Sequence, residues 1–175
     1  IGLAKRFGGE IVSADSMQIY KGIHIASAAP DETEMQGIPH YMLEFLEPDD
    51  SFSVAEYVKA ARAHISDIAS RGKLPIVAGG TGLYINSLAD NISYIEEETD
   101  ENLRRELEKR FESAGAEQML KELKEIDPET AERLHLNDKK RIIRAFEVYR
   151  LTGRTITEQN LLSKKGEALI DPCII

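Results

Sequence analysis

The sequence predicts an α/β protein in which a parallel sheet core is interrupted by an all-helical subdomain. Three observations carry that expectation. Up to about Asn91, short apolar strand-like runs alternate with helical periodicity, the grammar of parallel strands joined by crossover helices. A glycine turn, Gly79-Gly80-Thr81-Gly82, lies directly between a strand-like run and a helix-like one. Beyond Asn91, roughly 70 consecutive residues are charged and helical in pattern, with no strand signal.

Taken in order, Ile1 to Phe7 reads as the tail of a helix that Gly8-Gly9 closes. Glu10 to Ser13 follows as a short buried strand, with Asp15 just beyond its carboxyl end. The stretch from Lys21 to Pro48 carries Pro30, Pro39, Pro48 and a run of acids, and the only element expected in it is a strand at Tyr41 to Phe45. Ser53 and Glu56 have the spacing of a capping box, and Val54, Val58, Ala61, Ile65 and Ile68 then mark one helical face. Gly72 ends that helix, Leu74 to Ala78 reads as a fully buried strand, and Leu83 to Ala89 as a further helix.

In the second half, Leu103, Leu107 and Phe111 share a face of a charged helix closed by Gly115. Another helix runs to Ile126, and Asp127-Pro128 supplies an N-cap and a first-turn proline for the next. Asn137 or Asp138 opens a longer helix through Leu151, ended by Gly153, and Thr155 with Glu158 forms a second capping box. The tail from Asp171 to Ile175 is expected to rejoin the sheet. The expected boundaries are a core of 1–93, a helical insertion of 94–163 and a return of 164–175.

Hydrophobic residues make up 42% and charged residues 30% of the 175, a globular balance. No apolar run approaches the ~20 residues that cross a bilayer, so no membrane partner is expected. The single Cys173 excludes an intramolecular disulfide and a cysteine zinc site, and points to the cytoplasm. Four histidines show no metal-ligand spacing. The net charge is −9, but Arg133 to Lys165 carries nine Lys or Arg against three acids. A local basic surface of that kind can meet phosphate on an acidic protein.

Three constellations could carry chemistry. Asp15, in Ser13-Ala14-Asp15-Ser16-Met17-Gln18-Ile19-Tyr20, falls where open parallel sheets bind ligands; its carboxylate could take a proton, ligate a metal or cap the following turn. Gly79-Gly80-Thr81-Gly82 could present backbone N–H groups, a helix dipole and the Thr81 hydroxyl to a phosphate, or form a tight turn with a helix cap. It is not the dinucleotide fingerprint, since Ile85 stands where a third glycine is required. In Asn137-Asp138-Lys139-Lys140-Arg141-Ile142-Ile143-Arg144-Ala145, Lys140 and Arg144 share a helix face with Arg141 beside them. The run suits a polyanion or a solvated basic face.

In this order, these segments resemble the tRNA dimethylallyltransferase (isopentenyl-diphosphate:tRNA transferase) family. Further matches are Pro39-His40, Ser51-Phe52-Ser53-Val54, Ile126-Asp127-Pro128 and Leu151-Thr152-Gly153-Arg154-Thr155. The resemblance implies a P-loop-NTPase-like core of ATP-binding type, whose helical insertion helps to hold the anticodon stem-loop of tRNA. It also implies transfer of a dimethylallyl group from dimethylallyl diphosphate to N6 of the adenine beside the anticodon. Asp15 and Thr81 would be catalytic, and Gly80, Thr81 and Gly82 would face the diphosphate. Asp15, Ser16, Met17 and Gln18, with Lys140, Arg141, Ile142, Ile143 and Arg144, would contact tRNA. Mg2+ would accompany the diphosphate, and the protein would act as a monomer.

The same resemblance places a phosphate loop before Ile1 and basic diphosphate ligands after Ile175, so the chain reads as part of a longer protein. Alone, it is expected not to bind prenyl diphosphate tightly. Where the family pattern has lysine before proline, this chain has Ala29 before Pro30, which removes a cation. Competing readings are a prenyltransferase for free adenine nucleotides, a P-loop small-molecule kinase and a non-catalytic RNA-binding remnant.

Overall fold

The computed structural model describes residues 1–92, 94, 100–163 and 170–174. The chain divides into two compact units, Ile1–Ile92 with Glu167–Ile175, and Ser93–Gly166.

The first unit is a three-stranded parallel sheet with flanking helices. Helix α1 (Gly2–Phe7) ends at Gly8, whose φ of 64° is the left-handed conformation that glycine adopts at low cost. Strand β1 (Gly9–Ser13) is buried at every position, because it is the central strand of the order β2-β1-β3. Two short helices, α2 (His24–Ser27) and α3 (Glu32–Met35), occupy the proline-rich stretch. The second starts at a reciprocal capping box between Asp31 and Glu34, a signal at the same spacing as Ser53 and Glu56.

Strand β2 (His40–Tyr41) pairs Ile11 with His40 and Val12 with Tyr41. It stops well short of the expected Phe45. Met42 and Glu44 take φ of 63° and 43°, a left-handed backbone that cannot continue a strand. Residues 44–46 bond instead to the chain after β1: Glu44 N–H donates to the Gln18 carbonyl, and Phe45 and Leu46 N–H both donate to that of Ile19.

Helix α4 (Val54–Ser70) begins at the expected Ser53–Glu56 capping box and buries Tyr57, Val58, Ala61 and Ile68. Strand β3 (Leu74–Ala78) pairs with β1 from Gly9↔Leu74 to Ser13↔Ala78. It is not fully buried: Leu74 is 45% and Val77 36% exposed, since β3 has a single strand neighbour among the described residues. Helix α5 (Gly82–Ala89) follows the glycine turn. The expected return strand does not form over 171–174. Ile170 instead exchanges two hydrogen bonds of 2.9 Å with the Asn91 side chain, which saturate its N–H and C=O without a ladder. Residues 164–169 and 175 of that expectation lie outside the described residues.

The second unit contains α6 (Glu101–Ala114), α7 (Ala116–Ile126), α8 (Pro128–Arg133), α9 (Lys139–Thr152) and α10 (Ile156–Ser163). Its core is Leu107, Met119, Leu123, Ile142, Ile143, Ala145 and Phe146. At about 25 cal/mol per Å2 of apolar surface, burial of these side chains is the chief stabilising contribution. Asp127 starts α8 as expected, accepting from Thr130 N–H at 3.1 Å. It also reaches α10, taking the Thr157 hydroxyl at 2.6 Å and its N–H at 3.1 Å.

Candidate functional site

The carboxyl ends of β1 and β3 bring the first two constellations together. Ala14 N–H donates to the Ala78 carbonyl at 2.8 Å, and the Thr81 N–H returns to the Ala14 carbonyl at 2.9 Å. The two chains run so close here that a Cβ on Gly79 would fall 2.3 Å from the Ala14 carbonyl carbon. Close approach, rather than an unusual φ, requires glycine at this position.

Two hydrogen bonds then join the motifs through side chains. Ser16 N–H donates to Thr81 Oγ1 at 2.8 Å, and the Thr81 hydroxyl donates to Ser16 Oγ at 3.2 Å. Thr81 stands at the N-cap position of α5 but makes no side-chain cap bond. Its hydroxyl is turned toward Ser16, so a helix cap does not account for it.

Asp15 divides its carboxylate between two tasks. Oδ1 accepts from Met17 N–H at 2.8 Å and from Gln18 N–H at 3.4 Å, closing the turn after β1. Oδ2 faces Gly80, where a Cβ would lie 3.4 Å from it. The turn-capping reading is therefore correct for one oxygen and leaves the other at the glycine turn.

Of the residues after β1 expected to contact tRNA, Met17 is 54% exposed and Ser16 is half-buried. Gln18 belongs to the framework. Its Oε1 accepts from the Ser13 hydroxyl at 3.0 Å, and its Nε2 donates to the Ser27 and Ala28 carbonyls at 3.3 and 3.2 Å. That ties the end of β1 to the end of α2, next to Ala29.

Beneath the site lie two residues that sequence reasoning gave no role. Tyr57 donates its hydroxyl to the Ser13 carbonyl at 3.1 Å and stacks on Tyr84 with ring centroids 3.8 Å apart. Burial holds the Tyr57 phenol far above its usual range. Burial first, and then Tyr20, Glu56 and Asp15, also raise that of Tyr84. Both phenols stay protonated at neutral pH and serve as a rigid floor. The signal in the sequence was Tyr57 itself, a large aromatic one turn into a strongly capped helix.

No cluster of three or more His, Cys, Asp or Glu suited to a metal occurs among the described residues.

The third constellation occupies the first turns of α9. Lys140 and Arg141 are exposed, and Arg144 reaches the buried Glu147 at 2.9 Å. Of the expected RNA contacts, Ile142 and Ile143 present no side chain at the surface. They are 0% and 3% exposed, because the helical period turns them into the core while it turns Lys140 and Arg141 outward. Lys164 and Lys165 of the basic run lie outside the described residues.

A family model described as IPP transferase matches residues 18–174. Among curated relatives, the tRNA dimethylallyltransferase of Caldanaerobacter subterraneus subsp. tengcongensis is 48% identical over 176 residues, covering 100% of this chain and 56% of that protein. The tRNA dimethylallyltransferase of Acetivibrio thermocellus is 50% identical over 166 residues, covering 95% and 53%. The chain thus spans about half the length of the curated relatives it matches. Among solved structures, a eukaryotic dimethylallyltransferase acting on tRNA aligns with a TM-score of 0.72 at 31% identity, over 89% of this chain and 39% of that one. The full-length tRNA isopentenylpyrophosphate transferase of Bacillus halodurans aligns at 0.54 and 41%, over 87% and 50%.

Proposed function

Since the chain belongs to the IPP transferase family, we propose that it forms part of an enzyme that transfers a dimethylallyl group from dimethylallyl diphosphate to N6 of a tRNA adenine. The observation that carries this reading is the Ser16 N–H to Thr81 Oγ1 bond of 2.8 Å. It holds a carboxylate motif and a glycine-turn motif at the ends of adjacent parallel strands, where ligands of such sheets bind.

The chemistry needs both halves. An exocyclic adenine amine is a weak nucleophile because its lone pair is delocalised into the ring. An allylic diphosphate compensates by releasing its leaving group readily once the departing charge is stabilised. N6 forms a bond to the allylic carbon as the carbon–oxygen bond breaks, diphosphate departs, and the amine proton passes to Asp15. Gly80, Thr81 and Gly82 face the diphosphate and stabilise charge as it develops. With Thr81 donating to Ser16, the outward donor of the pair is the Ser16 hydroxyl. Ser16 and Met17 border the adenine, while Gln18 holds the segment in place.

Mg2+ would supply charge to the diphosphate, but the described residues do not form a cage for it. The ion would rest chiefly on diphosphate oxygens and water, as Mg2+ commonly does, and no step here depends on it. The same reading carries recognition of the anticodon stem-loop through Lys140, Arg141 and Arg144, ATP-type nucleotide binding by a P-loop-like core, and a monomer in the cytoplasm. Among the described residues, no helix is long and apolar enough to cross a membrane.

The test is prenyl transfer to an anticodon stem-loop by the full-length protein and its Asp15→Asn variant. Asparagine keeps the Oδ1 acceptor for Met17 and Gln18 but cannot take the proton. Turnover is expected to fall ~10²–10⁴-fold with RNA affinity nearly unchanged. Equal turnover in both proteins would remove Asp15 as the base, and no transfer by the unmodified protein would sink the reading.

A further inference from the structure

On the helical unit, the end of α8, the start of α9 and the start of α10 surround an open hollow of about 450 Å3. That lies within the ~300–1,000 Å3 of sites that take small organic groups. Arg133, Lys140, Arg141 and Arg144 line it, and none of the residues lining it is acidic. Leu134 and Ile156 form its apolar floor and pack against the unit's core.

Arg144 is held by the buried Glu147 at 2.9 Å, whereas the other three cations are weakly committed elsewhere. Arg133 meets Glu129 at 3.5 Å with both side chains more than half exposed, and Arg141 meets Asp138 only at 3.7 Å. Lys140 makes no ion pair among the described residues. Exposed pairs of this kind contribute little and yield to a stronger anion. Like charges gathered on one rim repel one another, a cost that a bound polyanion relieves. Beneath a cationic rim, an apolar floor matches the two halves of a nucleotide, a flat base and a phosphate.

We propose that this hollow is a nucleotide subsite for RNA, in which an unstacked base lies over Leu134 and Ile156 while Arg133, with Lys140 and Arg141, holds its phosphate. Arg133 lies on α8, outside the basic stretch of α9, so the RNA surface extends across two helices, of which Asp127 ties α8 to α10. The inference rests on the RNA reading above and deepens it. Inorganic phosphate could satisfy the same rim, and the test separates the two.

Binding of a labelled anticodon stem-loop to the chain is measured across a range of salt for the unmodified protein, Arg133→Gln, Arg133→Lys, Glu129→Gln and Lys140→Gln. Arg105→Gln is the control, because Arg105 pairs with Glu101 at the same spacing, 3.2 Å apart, on α6. Arg133→Gln is expected to weaken binding several-fold and to flatten the salt dependence by about one phosphate contact, a slope change of ~0.7–0.9. Arg133→Lys restores the slope, Glu129→Gln tightens binding by releasing Arg133, and Arg105→Gln changes nothing. If Arg133→Gln matches the control, or Glu129→Gln fails to tighten binding, while Lys140→Gln still weakens it, the subsite is wrong and the RNA reading stands. If the unmodified protein binds no RNA, both fall. If inorganic phosphate at constant ionic strength displaces the RNA and loses its own affinity in Arg133→Gln, the hollow serves a free anion and the RNA assignment is overturned.

Discussion

Gly79 shows how a single position can be decided by contact alone. It has no left-handed backbone, yet a methyl group there would overlap the Ala14 backbone. Gly79→Ala is therefore expected to push β3 from β1 at the site and to destabilise the protein by about 1–3 kcal/mol, read as a lower denaturant midpoint. It should also lower prenyl transfer by separating Thr81 from Ser16. Asp15 makes the complementary point. Its pattern in the sequence allowed a base, a metal ligand or a turn cap, and the coordinates assign the cap to Oδ1 while Oδ2 stays at the glycine turn. The residue type was legible and the division of labour between its oxygens was not.

At the level of elements, local signals carried far. The capping boxes at Ser53–Glu56 and Thr155–Glu158 form as their spacing predicts. The Asp31–Glu34 box obeys the same rule inside a stretch where prolines obscured it. What spacing could not show is that Asp127 serves two helices. Burial pushes its carboxyl up, but the hydrogen bonds from Thr157 and Thr130 together outweigh burial, and the net shift is downward. A group whose folded pKa is depressed stabilises above its unfolded pKa, ordinarily about 3.9, and loses that contribution as pH falls through the folded value. Asp127→Ala is expected to loosen α10 from α8, with faster amide exchange at Thr157 and Thr130, and to flatten the acid side of the stability profile below pH ~4.

Across the whole molecule, charge is the property that composition misstates. A chain of net −9 carries a cationic hollow on one unit, and a buried carboxylate, Glu10, lies at the opposite end of the sheet from Asp15. Glu10 is 1% exposed and bonds Arg71 at 2.6 and 2.8 Å, as well as Lys73 and Tyr41 at 2.8 Å. Arg71 first, and then Lys73, hold its carboxyl far below its ordinary value of 4.5. By the same sign, its contribution is present above that ordinary value and is lost as pH falls through the folded one. Thermal melts of the chain should thus show stability declining once pH drops below about 4.5, and continuing to decline toward much lower pH. Glu10→Gln should lower the melting temperature at neutral pH, where it leaves Lys73 without its ion pair and Arg71 with Asp67 alone, and make the acid decline shallower.

The sequence by itself determined what depends on near neighbours. Helix starts at Ser53, Asp127 and Thr155, the helix stop at Gly153, and the buried strand at Glu10 to Ser13 were legible because caps, periodicity and glycine conformations act over a few residues. The order of its motifs was enough to indicate the family. Tertiary structure decided what depends on residues distant in the chain. Among the described residues it gave β3 one strand neighbour and left Leu74 and Val77 exposed, ended β2 at Tyr41, and bonded Ile170 to Asn91 with no strand over 171–174. It also turned Ile142 and Ile143 into a core while leaving Lys140 and Arg141 outside, and it joined Ser16 to Thr81 across 65 residues of chain. Burial and hydrogen bonding are set by everything that packs against a residue, and a linear pattern specifies only its own side of that contact.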